Sequence, residues 1–293
     1  MLQEKSIGNR LFEIFNYTAL AVFALLTFLP FVHVIAGSFA TIEEVLTKKF
    51  LLFPTKFSLD AYRYIFSTNV MFKALAVSAG ITVIGTVLSM WLTAMMAYGL
   101  SRRDLDGRRT LMFLIVFTMM FSGGIIPTFL VVKWLGLLDT YAAMIVPSAI
   151  SAFNLIILRN FFQNIPDGLE ESAKIDGCND FGILFRIVLP LSMPAIATIS
   201  LFYAVSYWNM FFQAVLYINN AAKWPVQVLL RQIVIVASGL QGDLSEMGSE
   251  FVPPPEHTIK MAVIVVATIP ILLVYPFLQK HFVKGALLGS VKG

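Results

Sequence analysis

The sequence predicts an all-α integral membrane protein with six transmembrane helices, and three observations carry the prediction. Of the 293 residues, 58% are hydrophobic and only 13% charged, with a mean hydropathy of +0.81, an apolar share that has to face lipid. Six apolar runs, over about 11–37, 72–100, 110–133, 141–160, 194–218 and 259–282, each reach the ~20 residues a helix needs to cross a hydrocarbon core. Backbone groups in lipid have to bond within their own segment, so such runs are read as helices. Between the fourth and fifth lies NIPDGLEESAKIDGCNDFGILFRIVLPLSMP, residues 164–194, a polar tract dense in helix start and stop signals. A single transmembrane domain over 1–293 follows.

Taken in order, MLQEKSIGNR is short and polar. The run Leu11–Gly37 is longer than the ~7–15 apolar residues of a signal peptide and ends in no small-x-small cleavage site, so it is a retained span. His33, inside it, is expected to hydrogen-bond a neighbouring helix. Ser38–Met71 is a polar loop in which Ser58–Tyr62 reads as a short capped surface helix. The second span carries Ala74, Ala76, Ser78, Ala79, Gly80 and Gly85, small residues that permit close helix approach. It ends at Arg102, Arg103, Arg108 and Arg109, a topology anchor. The third span is broken by Ser122-Gly123-Gly124 and Pro127, whose freed backbone groups need neighbours or a water-lined cavity. Trp134–Thr140 is a tight external turn, and the fourth span contains Pro147 and Asn154 before Arg159.

The second half of the fifth span is polar and aromatic: Tyr203, Tyr207, Trp208, Asn209 and Gln213. Aromatic faces beside amides suit sugar rings, and an interfacial aromatic belt accounts for part of the pattern. With Asn154 these are the candidate substrate-pathway residues. Asn219–Thr258 is an external loop. Within it Val226–Ala237 is apolar and amphipathic but too short to span, and Pro253-Pro254-Pro255 follows. Pro270 and Pro276 are expected to kink the sixth span. Cys178 is the one cysteine, so no intramolecular disulfide forms, and it reads as a small packing residue.

The tails, loops and span ends on one side hold Lys5, Arg10, Arg102, Arg103, Arg108, Arg109, Arg159, Lys174, Arg186, Lys280, Lys284 and Lys292. The bias of basic residues to short cytoplasmic loops puts both termini and 164–194 in the cytoplasm. Neither a P-loop nor GxGxxG is present, and neither HExxH, clustered His/Cys ligands nor GxSxG. No span carries the mid-membrane carboxylate expected of a proton- or sodium-coupled carrier. The chain reads as a pore subunit without its own ATPase site, bound to no cofactor or metal, and its energy has to come from a partner.

Within 164–194, Asp167 is an N-cap candidate with Glu170 completing a capping box. That helix would run to about Ile175 and stop at Gly177, which can take the left-handed conformation. Asp180 could cap a second helix carrying Phe181, Leu184, Phe185 and Val188 until Pro190 ends it. Two short amphipathic helices joined at a glycine read as a docking element. Glu171-Ser172-Ala173, Gly177, Ile187, Leu189 and Pro190 resemble the EAA loop of permease subunits in bacterial ATP-binding-cassette (ABC) importers, EAA–x3–G–x9–I–x–LP. Ser172 replaces the first alanine, and Cys178 stands where a small residue is usual. Trp208-Asn209 resembles the WN pair of sugar permeases, and the likeness to MalG-type permeases of carbohydrate importers extends to the terminal Val-Lys-Gly. More narrowly, IKMAVIVVATIPILLVYPFLQKHFVKGALLGSVKG is similar to the branch handling complex or acidic oligosaccharides, alginate among them.

The resemblance implies a type I ABC importer (MetI-like) permease fold with a cytoplasmic coupling helix, in the bacterial cytoplasmic membrane. Glu171, Ser172, Ala173, Asp176 and Gly177 would seat in an ATPase cleft, with Ala173 and Gly177 allowing close approach and Glu171 paired to a basic residue. Phe181, Leu184 and Phe185 would anchor the loop. Implied partners are a homologous permease subunit forming a heterodimer, two ATP-binding-cassette subunits that bind the ATP and Mg, and a periplasmic or lipid-anchored binding protein. The substrate would be an oligosaccharide, moved by alternating access, with no nucleic acid involved. In such a complex 219–258 would reach the binding protein and Gly289–Gly293 the ATPase interface. An importer permease for a non-sugar substrate and a self-sufficient secondary carrier are the alternatives.

Overall fold

A computed structural model describes residues 7–237 and 256–290. Lys5, the Pro253–Pro255 stretch of the external loop and the terminal Val291–Gly293 lie outside the described residues, as do the side chains of 275–290. The described residues form helices and no strand: α1 Ile7–Ser38, α2 Ile42–Thr47, α3 Asp60–Ile65, α4 Asn69–Ser101, α5 Arg108–Met120, α6 Ile125–Trp134 and α7 Tyr141–Ile145. After these come α8 Ala152–Gln163, α9 Asp167–Ile175, α10 Asp180–Ile183, α11 Leu189–Leu191, α12 Met193–Trp208, α13 Phe212–Tyr217, α14 Val226–Ala237 and α15 Glu256–Ser290. Three described helices are long and apolar enough to cross a membrane, and three bent pairs raise the number to as many as six. Two compact units are present, one within 1–69 and 230–268 and the other within 70–229 and 269–293.

In the first unit, the loop after α1 is tied down by two polar side chains. His33 does not bond a neighbouring helix. Its Nδ1 accepts the Leu51 N–H at 2.9 Å while its ring stacks on Phe50 at 4.9 Å. Ser38 Oγ meets the Tyr62 hydroxyl at 2.8 Å, and Phe39 stacks between Phe57 and Tyr62. Glu44 is the hub. Its buried carboxylate accepts from Lys48 Nζ at 2.7 Å, from the backbone N–H of Thr55 at 2.8 Å and of Lys56 at 3.2 Å, and from the Thr55 hydroxyl.

These donors favour the ionised form, Lys48 most and then Thr55, and hold the Glu44 carboxyl at a pKa of about 2. A folded-state value below the ordinary 4.5 means the tie is complete above about pH 4.5 and lost as pH falls toward about 2. Hydrogen exchange in nanodiscs should therefore show the same protection of the Thr55 and Lys56 amides at pH 5 and pH 8, after correction for intrinsic rates. Glu44→Ala should lower that protection by about tenfold at both pH values.

The second unit is built on α4. Ser89 Oγ lies 2.9 Å from the Tyr207 hydroxyl and Thr93 Oγ1 lies 2.7 Å from that of Tyr203, clamping α4 to α12. A Cβ at Gly85 would meet the Tyr207 ring at 2.8 Å, so glycine there is what lets the ring approach. The third apolar run is broken as expected at Ser122–Gly124. However, α5 and α6 meet at 115°, too sharp for one kinked rod. Gly124 adopts φ +84°, and the Ser122 hydroxyl accepts its N–H at 3.2 Å. The run 194–218 is not one helix. α12 stops at Trp208, where the Asn209 side chain donates to Val205 O at 2.9 Å beside its own N–H at 3.1 Å. α15 continues through both Pro270 and Pro276.

Candidate functional site

The tract 164–194 folds as two short helices joined at a glycine. The capping box expected of Asp167 and Glu170 does not form. Pro166 occupies the cap position without a side-chain bond, Asp167 opens α9, and Glu170 turns to Arg102. At the other end Gly177 adopts φ +82°. Its N–H donates to Lys174 O at 3.0 Å and that of Cys178 to Ala173 O at 2.9 Å, the paired bonds of a Schellman turn. Ala173 and Cys178 pack in the core beneath it. A nine-residue helix is marginal by itself, so this turn and the burial of Ala173 hold α9 in place.

α10 is capped by Asn179 rather than Asp180: Asn179 Oδ1 accepts the Gly182 N–H at 2.8 Å. Pro190 ends the helical path to within one residue. It has no N–H to offer Arg186 O, the turn Leu184–Val188 is widened before it, and the path stops at Leu191, from which the next helix leaves at 87°. Anchoring falls to Ile183, Leu184 and Val188, all buried, whereas Phe181 and Phe185 are 60% and 48% exposed. Glu171, Ser172, Asp176, Gly177 and Phe181 form an exposed surface together with Ile175. Ala173 instead faces its own chain. Nothing lies within 4 Å of a Cβ built at Gly177, so this residue serves the left-handed turn and not a close contact inside the chain.

Arg102, read from sequence only as a topology marker, is the electrostatic centre of this element. Its guanidinium pairs closely with Glu170 of α9, approaches Asp180 of α10 at 3.8 Å and lies 4.9 Å over the Tyr98 ring. Lys174 comes within 3.9 Å of Asp180, and the exposed Arg103 within 3.5 Å of Asp167. The C-terminal carbonyls of α4 are met by cations and amides, as a helix end favours. Arg159 Nε donates to Leu100 O at 3.3 Å and Gln163 Nε2 to Ser101 O at 3.3 Å. Glu171, Arg102 and Arg108 line a cavity of about 810 Å³ beside α9.

The candidate pathway residues separate into two groups. Tyr203, Tyr207 and Asn154 line a cavity of about 460 Å³ together with Ser148, Ser151 and Ser206. Trp208, Asn209 and Gln213 do not; Trp208 is buried, and Gln227 reaches Asn209 at 3.4 Å. The tyrosine hydroxyls also mend the broken fourth run, whose helices α7 and α8 meet at 51°. The Ser151 N–H donates to the Tyr203 hydroxyl at 3.0 Å, and the Tyr207 hydroxyl donates to Ile145 O at 3.3 Å. Sequence reading missed Ser89, Thr93 and Ser151 as their partners. The available signal was a matched spacing: Ser89 and Thr93 lie four residues apart, as do Tyr203 and Tyr207.

On the side expected to be external, Asp139 takes φ +59° and gathers the segment after α13. Its N–H donates to Tyr217 O at 2.8 Å, and its carboxylate accepts from the Asn220 N–H at 3.1 Å and from Lys223 Nζ at 2.9 Å. The Lys223 bond, more than any other contact, holds this carboxyl below its ordinary value.

Residues 2–287 match the family described as binding-protein-dependent transport system inner membrane component. The chain is 74% identical over 285 residues, 97% of its length and 99% of the relative's, to the polygalacturonan/rhamnogalacturonan transport system permease protein YtcP of Bacillus subtilis (strain 168). It is 55% identical to Protein LplC of the same organism, over 98% of this chain and 96% of that protein. Among solved structures, a chain of a bacterial ABC transporter involved in the import of the acidic polysaccharide alginate superposes with a TM-score of 0.86. Identity there is 34%, over 94% of this chain and 98% of that one.

Proposed function

We propose, since this chain belongs to the family of binding-protein-dependent transport system inner membrane components, that it is a permease subunit of an ATP-driven importer of acidic oligosaccharides. Its substrate class is uronic-acid oligomers, fragments of polygalacturonan or rhamnogalacturonan in particular. The observation that carries this reading is 74% identity across nearly the whole chain to a permease of that transport system. The likeness to an alginate importer chain supports it, because alginate and galacturonan are both polymers of uronic acids.

In this reading the chain pairs with a homologous permease subunit, with both termini and α9–α11 in the cytoplasm. ATPase subunits, which bind the ATP and Mg, dock on Glu171, Ser172, Asp176, Gly177 and Phe181, an exposed surface on a firmly anchored element. Binding protein, substrate and ATP shift the two-state equilibrium of the spans, which is alternating access by differential affinity. The cavity bearing Tyr203, Tyr207 and Asn154 has hydroxyls, an amide and ring faces but no charged lining residue. It suits sugar hydroxyls and ring faces, so neutralisation of the carboxylates belongs to the partner subunit or the binding protein.

The test is ATP hydrolysis and uptake in proteoliposomes holding both permeases, the ATPase subunits and the binding protein. Oligogalacturonides should stimulate both, and maltodextrins should not. Stimulation by maltodextrins alone would discard the acidic class, and uptake without ATP would reopen the secondary-carrier class.

A further inference from the structure

Resting on the coupling role proposed for α9–α11, we propose that Arg102 is a positioning residue. It makes the coupling element and the end of α4 one mechanical unit, so that movement of the element is delivered to α4. The geometry is specific. One guanidinium engages both halves of the element, Glu170 on α9 and Asp180 on α10, on either side of the glycine turn. The side chains of Arg102 and Glu170 are only 15% and 18% exposed. Water screens this pair far less than the neighbouring Arg103–Asp167 pair, at 78% and 61%.

Arg102 is also held from behind. Tyr98 lies under its guanidinium, Arg108 donates to its carbonyl at 3.1 Å, and Arg159 and Gln163 fix the two carbonyls before it. α9 does not need this clasp to exist as a helix, since its end is closed by Gly177 and its buried face by Ala173. What the clasp adds is a fixed placement on α4. That helix has 33 residues, a rod of about 50 Å at 1.5 Å per residue. Along it lie Thr93 and Ser89, bonded to Tyr203 and Tyr207 of the cavity, and Ser78, which accepts the Val226 N–H at the start of α14 at 2.8 Å. A rigid rod with polar contacts along its length is the kind of element through which coupling travels.

The experiment uses the reconstituted complex of both permeases, ATPase subunits and oligogalacturonide-loaded binding protein. Arg102→Gln and Glu170→Gln should each cut the stimulation of ATP hydrolysis by loaded binding protein about tenfold. Basal hydrolysis and recovery of the ATPase subunits with the complex should be unchanged. Arg102→Lys should retain part of the stimulation, and Arg102→Glu, which sets like charge against both Glu170 and Asp180, should lose it. Stimulation within about twofold of wild type in Arg102→Gln, Glu170→Gln or Arg102→Glu, or loss of the ATPase subunits from the complex, would each overturn the proposal. A second measurement needs no charge change. Spin labels at the exposed positions Asp106 and Leu169 should report one narrow separation in both the nucleotide-free and ATP-bound complex. A separation that differs between the two states would also refute a rigid unit. If wild type itself shows no stimulation, the importer reading fails first and the clasp with it; a stimulated wild type with indifferent variants refutes the clasp alone.

Discussion

Valine in place of Gly85 is expected to lower the thermal unfolding midpoint of the detergent-solubilised chain by roughly 5–10 °C, as about 2–4 kcal/mol does for a chain of this size. A Cβ at this position would sit 2.8 Å from Cε2 and Cζ of Tyr207 and 2.9 Å from Cδ2, inside van der Waals contact. Tyr207 is 2% exposed, and retreat of its ring into the cavity it lines would break the bonds of its hydroxyl. Its hydroxyl is bonded both to Ser89 at 2.9 Å and to the Ile145 carbonyl at 3.3 Å. Overpacking costs about 1–3 kcal/mol, and each interhelical hydrogen bond lost in a membrane protein about 0.6 kcal/mol more. Gly80→Val is the control. No atom lies within 4 Å of a Cβ at Gly80, so its midpoint should stay near wild type. Fluorescence-detected size exclusion across a temperature series reads both variants. A Gly85→Val protein as stable as Gly80→Val would show that Tyr207 does not pack on α4 as described.

That pair of glycines also shows where sequence reading stops. Both stand among small residues of the second apolar run, and composition alone gives them one role. Only the register of α12 against α4 separates a glycine under a tyrosine from a glycine over open space. The same limit applies to Tyr203 and Tyr207. An aromatic, polar helix is legible as unusual, but a hydroxyl that faces a cavity and one that mends a broken helix look alike in sequence. Here each does both.

Breaks were legible where backbone chemistry announces them, as at Ser122-Gly123-Gly124. The break at Asn209 was not, because no glycine or proline stands within 203–213 to announce it. In the 164–194 tract two short helices joined at Gly177 were legible, while their capping was misread at Asp167 and Asp180. Glu170 satisfied a local capping pattern but was taken by Arg102, a partner distant in sequence. Local signals predict local bonds well until a buried charge elsewhere offers a stronger one.

Gly177 is where local conformation meets the proposed coupling role. At φ +82° a β-branched side chain is strained whatever room surrounds it, and the room here is open. The left-handed region costs an ordinary L-residue about 1–2 kcal/mol, while asparagine enters it through local side-chain bonding. Gly177→Val should therefore unravel the turn that closes α9, releasing the bonds to Ala173 O and Lys174 O and displacing Glu171 and Asp176. We expect stimulation of ATP hydrolysis by loaded binding protein to fall at least about tenfold, a change equivalent to about 1.4 kcal/mol of coupling. Gly177→Asn should keep most of it, because it preserves the backbone and meets no neighbour within the chain. The two substitutions add side chains of comparable bulk at the same exposed point, so the contrast isolates backbone conformation from contact with an ATPase subunit. Equal loss in both variants would place a tight protein contact on Gly177 instead. Equal retention would mean that the Schellman turn is not what holds α9 in its working position.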